Sequence, residues 1–379
     1  MRIQFLSRSR SLPQSFRAGV SLHSHTNHSR ENLGFIGDFL RRHSLSRHWL
    51  QQLEGECQRK SGIRLDFAKA YWTPALTGRL AYELEERQIT ALGLDSMVSL
   101  SDHDNIEAPM LLRIVPGIRR IPVSVEWTVP FGAAVFHIGV HNLPTPMADN
   151  VMSELQAYTA RPVDRQLGAL LRELHRLPSV LLVLNHPLWS QSAISRDRFE
   201  FELNRLLGVH GQYLHAFELN GMRCRAENQS VIELAARWNQ VLISGGDRHG
   251  REPNANLNLT NAADFSEFVD EVRNGRRSTV LFMPQYEENI VLRTYQGFMD
   301  TIREYPEYPE AERCWDGRTY HPNLHGEPTP LRELWPKGSP AFLKRIFSAA
   351  LFLERGPAWE ALRALTFKNG QLSLPVEPI

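Results

Sequence analysis

The amino-acid sequence predicts an α/β fold of the parallel type, and in particular a β/α barrel. Short runs of apolar, β-branched residues alternate with longer segments that have the periodicity of amphipathic helices. Several of the short runs are apolar throughout, which is typical of strands buried on both faces of a sheet. Strand, helix and strand follow one another in this order over much of the chain, as in folds built from βαβ units.

The individual elements follow from these patterns. Predicted strands lie at Ala18–Leu22, Met97–Leu100, Ile121–Trp127, Ala133–Val140, Ser179–Leu184, Leu214–Leu219 and Val241–Ser244. Predicted helices lie at Leu76–Gln88, Val163–Leu177, Arg196–Leu207, Gln229–Trp238 and Ala263–Asn274. The turn residues of Pro130–Gly132 separate the third and fourth strands and predict a local hairpin.

Composition restricts the class of protein. The chain has 379 residues, of which 42% are hydrophobic, so it can bury a sizeable core. Its 43 basic and 42 acidic residues argue against binding to nucleic acid through bulk charge. The three cysteines have no metal-binding spacing, and no run of about 18 apolar residues is present. We therefore expect a cytoplasmic protein without a membrane partner.

Two regions depart from the strand–helix alternation. Residues 31–75 are charged, aromatic and partly helical, and we interpret them as an insertion after the first strand. Residues 285–379 are rich in proline, tryptophan and tyrosine, and the sequence indicates no role for them. The predicted organisation is therefore a main domain over 1–284, which contains the insertion, and a C-terminal extension over 285–379.

Histidines and acidic residues gather where the predicted strands end. In α/β barrels the C-terminal ends of the strands meet at one mouth, where active sites are built. Residues from several separate strands would therefore converge on a single pocket. The candidates are His23, His25, Asp102, His103, Asp104, Glu126, His137, His141, His186, Glu218, Asp247 and His249.

The spacing of these residues favours a metal site. His23 and His25 lie two residues apart on extended chain, so both side chains point to the same side, and Asp247 and His249 repeat this spacing. Imidazoles together with carboxylates suit Zn, Mn or Fe, and a carboxylate can bridge two ions. Clustered divalent ions can bind a phosphate and activate water, so no serine or cysteine nucleophile is needed.

Five segments, taken in order, resemble the motifs of the PHP (polymerase and histidinol phosphatase) superfamily. HSHT at His23–Thr26 resembles the first motif, SDHD at Ser101–Asp104 the second, NHP at Asn185–Pro187 the third and GGDRH at Gly245–His249 the fourth. VEW and the following FHIGV resemble the stretch that supplies a bridging glutamate and a further histidine. Members of this superfamily include histidinol phosphatases, nucleotide phosphoesterases, small 5′-exonucleases and domains of bacterial DNA polymerases.

The resemblance implies a distorted seven-stranded β/α barrel with two or three divalent ions, which would be Mn, Zn, Fe or Mg. It assigns catalytic roles to Glu126, Asp247 and Asp102, the last by orienting a ligand imidazole. Glu218 either supports the ligands in the same way or is structural. The implied ligands are His23, His25, Glu126 and Asp247 for one ion, Glu126, His137 and His186 for a second, and His103 and His249 for a third. Apart from the resemblance, His141 is a reserve ligand because it follows His137 by four residues.

One position departs from the family pattern. Close relatives follow HSHT with Ser-Asp, and that aspartate binds the third ion, whereas this chain has Arg30. Arg30 cannot be a ligand because a guanidinium has no free lone pair for a cation. Either Glu31 or His28 replaces the aspartate, or the third site is weak, and we predict Glu31. Arginines near the ligands suit phosphate or are surface residues, and the candidates are Arg30, Arg223, Arg225, Arg248 and Arg251, of which we select Arg30 and Arg248.

The function expected from these residues is hydrolysis of a phosphate ester by metal-activated water. The partner would be a phosphorylated small molecule, a nucleotide or the end of a nucleic acid, and the sequence names no protein partner. Two alternatives remain open, namely a nuclease or exonuclease and a metal-binding regulatory PHP module without turnover. A C–N hydrolase with the same His-x-His pattern typically needs a lysine between its metals, and no lysine follows a predicted strand.

Overall fold

The structure is a computed structural model that describes residues 2–6, 11–34, 44–189, 194–335, 338–354 and 356–365. These residues form two compact units. The first contains the described residues of Met1–Ser29 and Leu76–Arg293. The second contains those of Arg30–Ala75 and Thr294–Phe367, so the predicted insertion shares a unit with most of the predicted extension.

The strands of the described residues are numbered in chain order. They are β1 (Arg2–Phe5), β2 (Ala18–Ser21), β3 (Glu31–Asn32), β4 (Tyr71–Trp72), β5 (Asp95–Val98), β6 (Val123–Phe131), β7 (Ala134–Leu143), β8 (Leu181–Asn185), β9 (Ala216–Asn220), β10 (Val241–Gly245), β11 (Asn256–Thr260), β12 (Thr279–Phe282), β13 (Thr319–Pro322) and β14 (Pro328–Pro330).

The α-helices of the described residues are numbered in the same way. They are α1 (Ser44–Ser61), α2 (Gly78–Thr90), α3 (Glu107–Leu112), α4 (Ala148–Ala160), α5 (Asp164–Arg176), α6 (Arg196–His210), α7 (Arg225–Trp238), α8 (Phe265–Arg273), α9 (Ile290–Ile302), α10 (Leu331–Leu334), α11 (Ala341–Leu353) and α12 (Pro357–Leu365). Several helices begin at an N-cap residue whose side chain accepts a hydrogen bond from a backbone N–H group, as Thr77 does at α2, Ser195 at α6 and Asp264 at α8.

The first unit contains two five-stranded sheets. One has the order β1-β12-β11-β2-β5, in which β11 runs antiparallel to both of its neighbours. The other has the order β10-β9-β8-β7-β6, in which β8, β9 and β10 are parallel and β7 is antiparallel to β6 and β8. The fold is therefore mixed α/β, and the expectation of a parallel sheet holds for only part of it.

Regular strand pairing among the described residues does not close these sheets into the expected seven-stranded barrel. Isolated bridges pair Ser24 with Arg248 and His103 with Glu126 of β6, and they connect the two sheets. The backbone N–H of Asp247 also donates to the carbonyl of His23 at 2.7 Å. The segments that carry the candidate ligands are thus the segments that join the two sheets.

All seven predicted strands are confirmed to within a few residues, and β6 and β7 form the predicted hairpin, with Phe131 paired to Ala134. Gly132 has a φ of +61°, which a residue without a β-carbon adopts at low cost in the turn. Strands β1, β11 and β12 of the first unit were not predicted, and neither were β3, β4, β13 and β14 of the second unit. In β11, asparagines interrupt the apolar residues, so its sequence gives no continuous apolar run.

The strand that carries Glu126 lies in the largest core cluster of the first unit. Val125, Trp127 and Val129 of β6 are fully buried in that cluster. The Trp127 indole donates to the carbonyl of Leu155 at 3.1 Å, which fixes the ring against α4. Because side chains alternate along a strand, Glu126 points away from these apolar residues. A rigid strand therefore presents its carboxylate to the opposite face of the sheet.

The second unit has an antiparallel sheet of order β14-β13-β4-β3. Trp335 is buried and its indole bonds to the sulfur of Cys57 at 2.9 Å, next to Leu65. The guanidinium of Arg318, also buried, donates to four backbone carbonyls that belong to Thr301, Arg303, Glu312 and Arg313. Apolar packing around Trp335 and the hydrogen bonds of Arg318 to backbone carbonyls therefore help to stabilise this unit.

Among the described residues, no helix combines the length and the apolar composition that a membrane span requires.

Candidate metal centre

Several candidate ligands lie at abrupt turns of the backbone just beyond the strands. His23 follows β2 with a φ of 62°, His186 follows β8 with a φ of 27°, and Asp247 follows β10 with a φ of 55°. Residues with a β-carbon rarely adopt positive φ, and such strained positions concentrate at functional sites. The turns direct these side chains inward over the ends of the sheets rather than along the strands.

The carboxylate of Glu126 is fully buried, and its Oε2 atom faces three imidazoles. The distances from Oε2 are 3.0 Å to Nε2 of His23, 3.3 Å to Nε2 of His25 and 3.3 Å to Nε2 of His103. One carboxylate oxygen cannot accept good hydrogen bonds from three ring nitrogens at once, because it offers two lone pairs. The arrangement instead fits donor atoms gathered around a cation.

The other oxygen of Glu126 faces a second pair of imidazoles. Oε1 lies 3.1 Å from Nε2 of His186 and 3.4 Å from Nδ1 of His137, and it accepts a bond of 2.9 Å from the amide of Asn185. The facing ring nitrogens of His137 and His186 are 3.3 Å apart. The two oxygens of one carboxylate thus serve two different sets of imidazoles, as a bridging ligand does.

Asp247 adds a second carboxylate to the Oε2 side of Glu126. Its Oδ1 lies 3.7 Å from Nε2 of His23, 3.5 Å from Nε2 of His25 and 3.6 Å from Nδ1 of His249. Its Oδ2 atom points the other way, toward the side-chain nitrogens of Asn220 and Arg223 at 3.3 and 3.4 Å.

The tautomer of His23 gives a direct test of whether a cation fits. Glu218 Oε1 lies 2.5 Å from Nδ1 of His23, and an ionised carboxylate only accepts, so Nδ1 carries the proton. In the neutral ring Nε2 then presents a lone pair to Oε2 of Glu126, an acceptor facing an acceptor. Within the described part of the chain both atoms are buried without a hydrogen-bond partner. A proton or a divalent cation between them removes this conflict, so the residues fit a metal.

The protonation tendencies agree with this picture. Burial lowers the pKa of His23, but Glu126, Glu218 and Asp247 outweigh it and raise that pKa well above its ordinary value. Burial raises the pKa of Glu126, yet the imidazoles around it, led by His23, hold it well below the usual range. Burial lowers the pKa of His137 to about 4. The carboxylates are therefore ionised and His137 is neutral, whereas His23 carries a second proton that a bound cation would displace.

Within the first unit, two groups of three residues place their donor atoms close enough to share an ion. In each group the donor atoms lie within 4.8 Å of one another. The groups are His23, His25 and Glu126, and His103, Glu126 and His137. Glu126 belongs to both, so the geometry suits a cluster of divalent ions better than a single ion.

Asp102 has a different contact from the one expected. Its buried carboxylate accepts from the backbone N–H of Thr26 at 2.5 Å and from the hydroxyl of Thr26 at 2.7 Å. It therefore fixes the turn after His25 rather than bonding an imidazole directly. The ring of His25 is held by Ser29, whose hydroxyl lies 3.2 Å from Nδ1 and also accepts from the backbone N–H of His103 at 3.0 Å. No sequence pattern indicated this role for Ser29.

The two arginines selected for phosphate have other contacts. Arg248 is buried, and it donates from Nε to Glu85 at 2.9 Å and from Nη1 to the carbonyl of Gly250 at 3.0 Å. This ion pair holds the Asp247–His249 turn against α2 and does not favour a phosphate contact. Arg30 is exposed in the second unit, with its guanidinium carbon 5.4 Å from the ring centroid of Tyr71, and its phosphate role remains a prediction.

Three further candidate ligands are Glu31, His28 and His141. Glu31 begins β3 of the second unit, and its role as a ligand of a third ion remains a prediction. His28 pairs with Glu107 at 3.1 Å. His141 is buried with Nδ1 2.9 Å from the hydroxyl of Ser99, and its role as a reserve ligand remains a prediction.

The sequence missed the residues that hold the ligands in place. Asn185 and Asn220 close β8 and β9, and both are buried with their amides on carboxylates of the site. Glu218, left undecided between support and structure, bonds the ring of His23 and accepts from the backbone N–H of His186 at 2.7 Å. Their position at strand ends was the available signal, because asparagine at such a place is uncommon in a buried strand.

Comparison with known proteins gives only remote likenesses. No family model and no curated protein matches the chain. The structure is similar to an amidohydrolase from Chromobacterium violaceum, solved with bound sulfate and no metal, at a TM-score of 0.36 and 14% identity over 61% of this chain and 88% of that one. It is also similar to a protein classed as a metal-dependent phosphoesterase from Bifidobacterium adolescentis, at a TM-score of 0.29 and 15% identity over 52% and 91%.

Proposed function

We propose that this chain is a metal-dependent phosphoesterase that hydrolyses a phosphate ester with water. The observation that carries the proposal is the buried carboxylate of Glu126, whose two oxygens face two different sets of imidazoles. Multinuclear sites with a bridging carboxylate are well suited to phosphoryl chemistry, because the substrate carries negative charge on several oxygens. The substrate would be a phosphomonoester, a nucleotide or the end of an oligonucleotide.

Charge explains why ions are needed in this pocket. Glu126, Asp247 and Glu218 are buried carboxylates whose pKa values stay below the ordinary range despite burial, because His23 and other imidazoles stabilise the ionised forms. An anionic phosphate entering this pocket alone would meet strong repulsion at low dielectric. Divalent ions invert the sign of the field there, and when bound they stabilise phosphoryl oxygens and activate water.

The residues assigned to these ions are those gathered around the two oxygens of Glu126. His23, His25 and Asp247 would hold an ion on the Oε2 side, and His137 and His186 an ion on the Oε1 side. A third ion would use His103, His249 and Glu31, as the sequence predicts.

The remaining polar residues orient the ligands before substrate arrives. Glu218 fixes the ring of His23 so that Nε2 faces Glu126, and Asn185 fixes the Glu126 carboxylate through Oε1. Asn220 links the carboxylates of Glu218 and Asp247. Because these ligands are already oriented, the site can bind a charged group with little reorganisation. In many enzymes such electrostatic preorganisation is the largest contribution to catalysis.

The first test combines metal analysis with a substrate panel. Protein purified without chelator should contain at least two equivalents of divalent metal, counted by elemental analysis. With Mn, Zn or Mg it should hydrolyse a phosphomonoester, a nucleotide or a 5′-phosphorylated oligonucleotide. Glu126→Gln keeps the shape of the side chain but removes its charge, so we expect activity to fall to background while circular dichroism stays unchanged.

An exposed carboxylate of α5, Glu173, provides the matched control, and Glu173→Gln should retain metal and activity. Protein that holds its metals and hydrolyses no phosphate ester in the panel would contradict the proposal and favour a non-catalytic metal-binding module. Preference for oligonucleotide ends over small phosphomonoesters would assign the enzyme to the exonucleases.

A further inference from the structure

An arginine stacked on a tryptophan borders the metal centre on the Oε1 side of Glu126. Trp189 lies beyond β8, and Arg223 lies between β9 and α7. The guanidinium carbon of Arg223 is 4.3 Å from the ring centroid of Trp189. The same tryptophan packs edge-on against His186, with ring centroids 5.1 Å apart and planes at 85°. The stacked pair is therefore in direct contact with a candidate ligand.

Stacking leaves the hydrogen-bonding edge of this guanidinium available. The aromatic ring contacts the flat face, whereas the N–H donors of arginine lie in the guanidinium plane. Nη2 lies 3.4 Å from Oδ2 of Asp247 and Nε lies 3.8 Å from Glu227, both long contacts. Arg223 makes no hydrogen bond from Nη1 to any other residue that the structure describes, and 18% of its side chain is exposed. Nη2 therefore faces Asp247, and the Nη1 donors are those left available to a ligand.

Neighbouring arginines of the first unit are engaged in other contacts. Arg248 is bonded to Glu85, and Arg225 lies against the ring of Phe5. Arg293 donates to the carbonyl of Gly221 at 2.6 Å. These side chains are buried, whereas Arg223 is partly exposed beside a candidate ligand. Of these four arginines, Arg223 is the one that is both partly exposed and next to a candidate ligand.

We propose that Arg223 is the anion-binding side chain of this centre and that its guanidinium receives an oxygen of the substrate phosphate. The inference rests on the proposed function and gives it a phosphate-binding residue within the first unit, where the selected Arg248 is bonded to Glu85, while the phosphate role of Arg30 remains a prediction. Arginine binds phosphate through parallel N–H donors, and the stack on Trp189 holds those donors in one orientation. The substrate class is an ester whose phosphate carries at least one non-bridging oxygen that can reach Arg223.

The test measures binding of inorganic phosphate to the full-length, Mn-loaded protein by calorimetry. Arg223→Gln should weaken phosphate binding about tenfold or more, because it removes a charged donor from a partly buried anion site. Arg223→Lys should bind with intermediate affinity, since a lysine keeps the charge but not the paired donors. Arg165→Gln, an exposed arginine of α5, is the matched control and should leave affinity unchanged.

A role in recognition predicts unchanged metal content in Arg223→Gln, measured on the same samples. Trp189→Leu, which removes the stack but keeps the charge, should weaken phosphate binding less than Arg223→Gln. Equal phosphate affinity in wild type and Arg223→Gln would overturn the proposal. Loss of metal in that variant would also overturn it, because Arg223 would then position Asp247. Wild type that binds Mn but no phosphate would overturn it as well.

Hydrolysis assays on these variants separate this inference from the proposed function. If wild type binds phosphate through Arg223 but hydrolyses no ester, the proposed function fails and the anion site stands. If wild type hydrolyses an ester and Arg223→Gln keeps both its KM and its phosphate affinity, the anion site fails and the function stands.

Discussion

The two oxygens of Glu126 have surroundings of different kinds. On the Oε2 side, His23 and His25 are buried and each ring has a second partner, Glu218 for one and Ser29 for the other. On the Oε1 side, the facing nitrogens of His137 and His186 are 3.3 Å apart. The stacked pair of Trp189 and Arg223 borders this side, because Trp189 packs against His186.

We expect this difference to separate two properties of the site, namely its affinity for metal and its access to substrate. Hydrogen bonds to the outer atoms of a ligand fix its tautomer and orientation, which raises metal affinity. The Oε2 side has such bonds built in, so we expect it to bind its ion more tightly. The Oε1 side is bordered by the partly exposed guanidinium of Arg223, so we expect substrate to approach there. One side would thus anchor the cluster while the other recognises the ester.

The largest expected effect follows from removing Glu218, which supports both sides. It bonds the ring of His23 on one side and the backbone N–H of His186 on the other. Glu218→Ala should lower metal affinity about 10- to 100-fold, because outer partners of metal ligands have effects of that size. Competition with a chromophoric chelator measures the affinity. Affinity equal to that of the Glu173→Ala control would show that the outer bonds do not tune this site.

A smaller effect is expected from a ligand of the Oε1 side alone. His137→Ala should reduce the bound metal by about one equivalent and leave the ion of the Oε2 side in place, since His23, His25 and Asp247 remain. Elemental analysis of the variant after dialysis measures the change. If both ions were lost together, the two sides of Glu126 would be one cooperative unit and the comparison would fail.

The smallest effect is expected at the third position. Glu31 stands one residue after Arg30, which cannot itself be a ligand because its guanidinium has no free lone pair for a cation. Glu31→Ala should lower metal content by about one equivalent and leave the two ions at Glu126 unchanged. Unchanged metal content in this variant would contradict the prediction and leave a two-ion site. His28, the competing candidate ligand, already pairs with Glu107.

Most of the chemistry could be predicted because it is local in the sequence. Ligand-type residues stand immediately after short apolar runs, and the ends of buried strands meet at one edge of a sheet. His23, His25, Glu126 and Asp247 could therefore be grouped without coordinates, and the structure brings them together around the Glu126 carboxylate.

The strand β11 escaped prediction because asparagines interrupt its apolar pattern. Strand direction escaped it because an apolar run reads the same in parallel and antiparallel sheets. The mixed arrangement therefore appears only in the pairing of β7 with its neighbours and of β11 with β2 and β12.

By itself, the sequence determined which histidines and carboxylates stand at the ends of strands and which runs of residues form those strands. The tertiary structure alone decided which partners each of those residues has. Arg248 and Arg223 have the same side chain, yet one is buried against Glu85 and the other stacks on Trp189 beside Asp247. Long-range packing makes this distinction, because the partners lie far away in the chain and are set by burial and charge pairing rather than by local pattern.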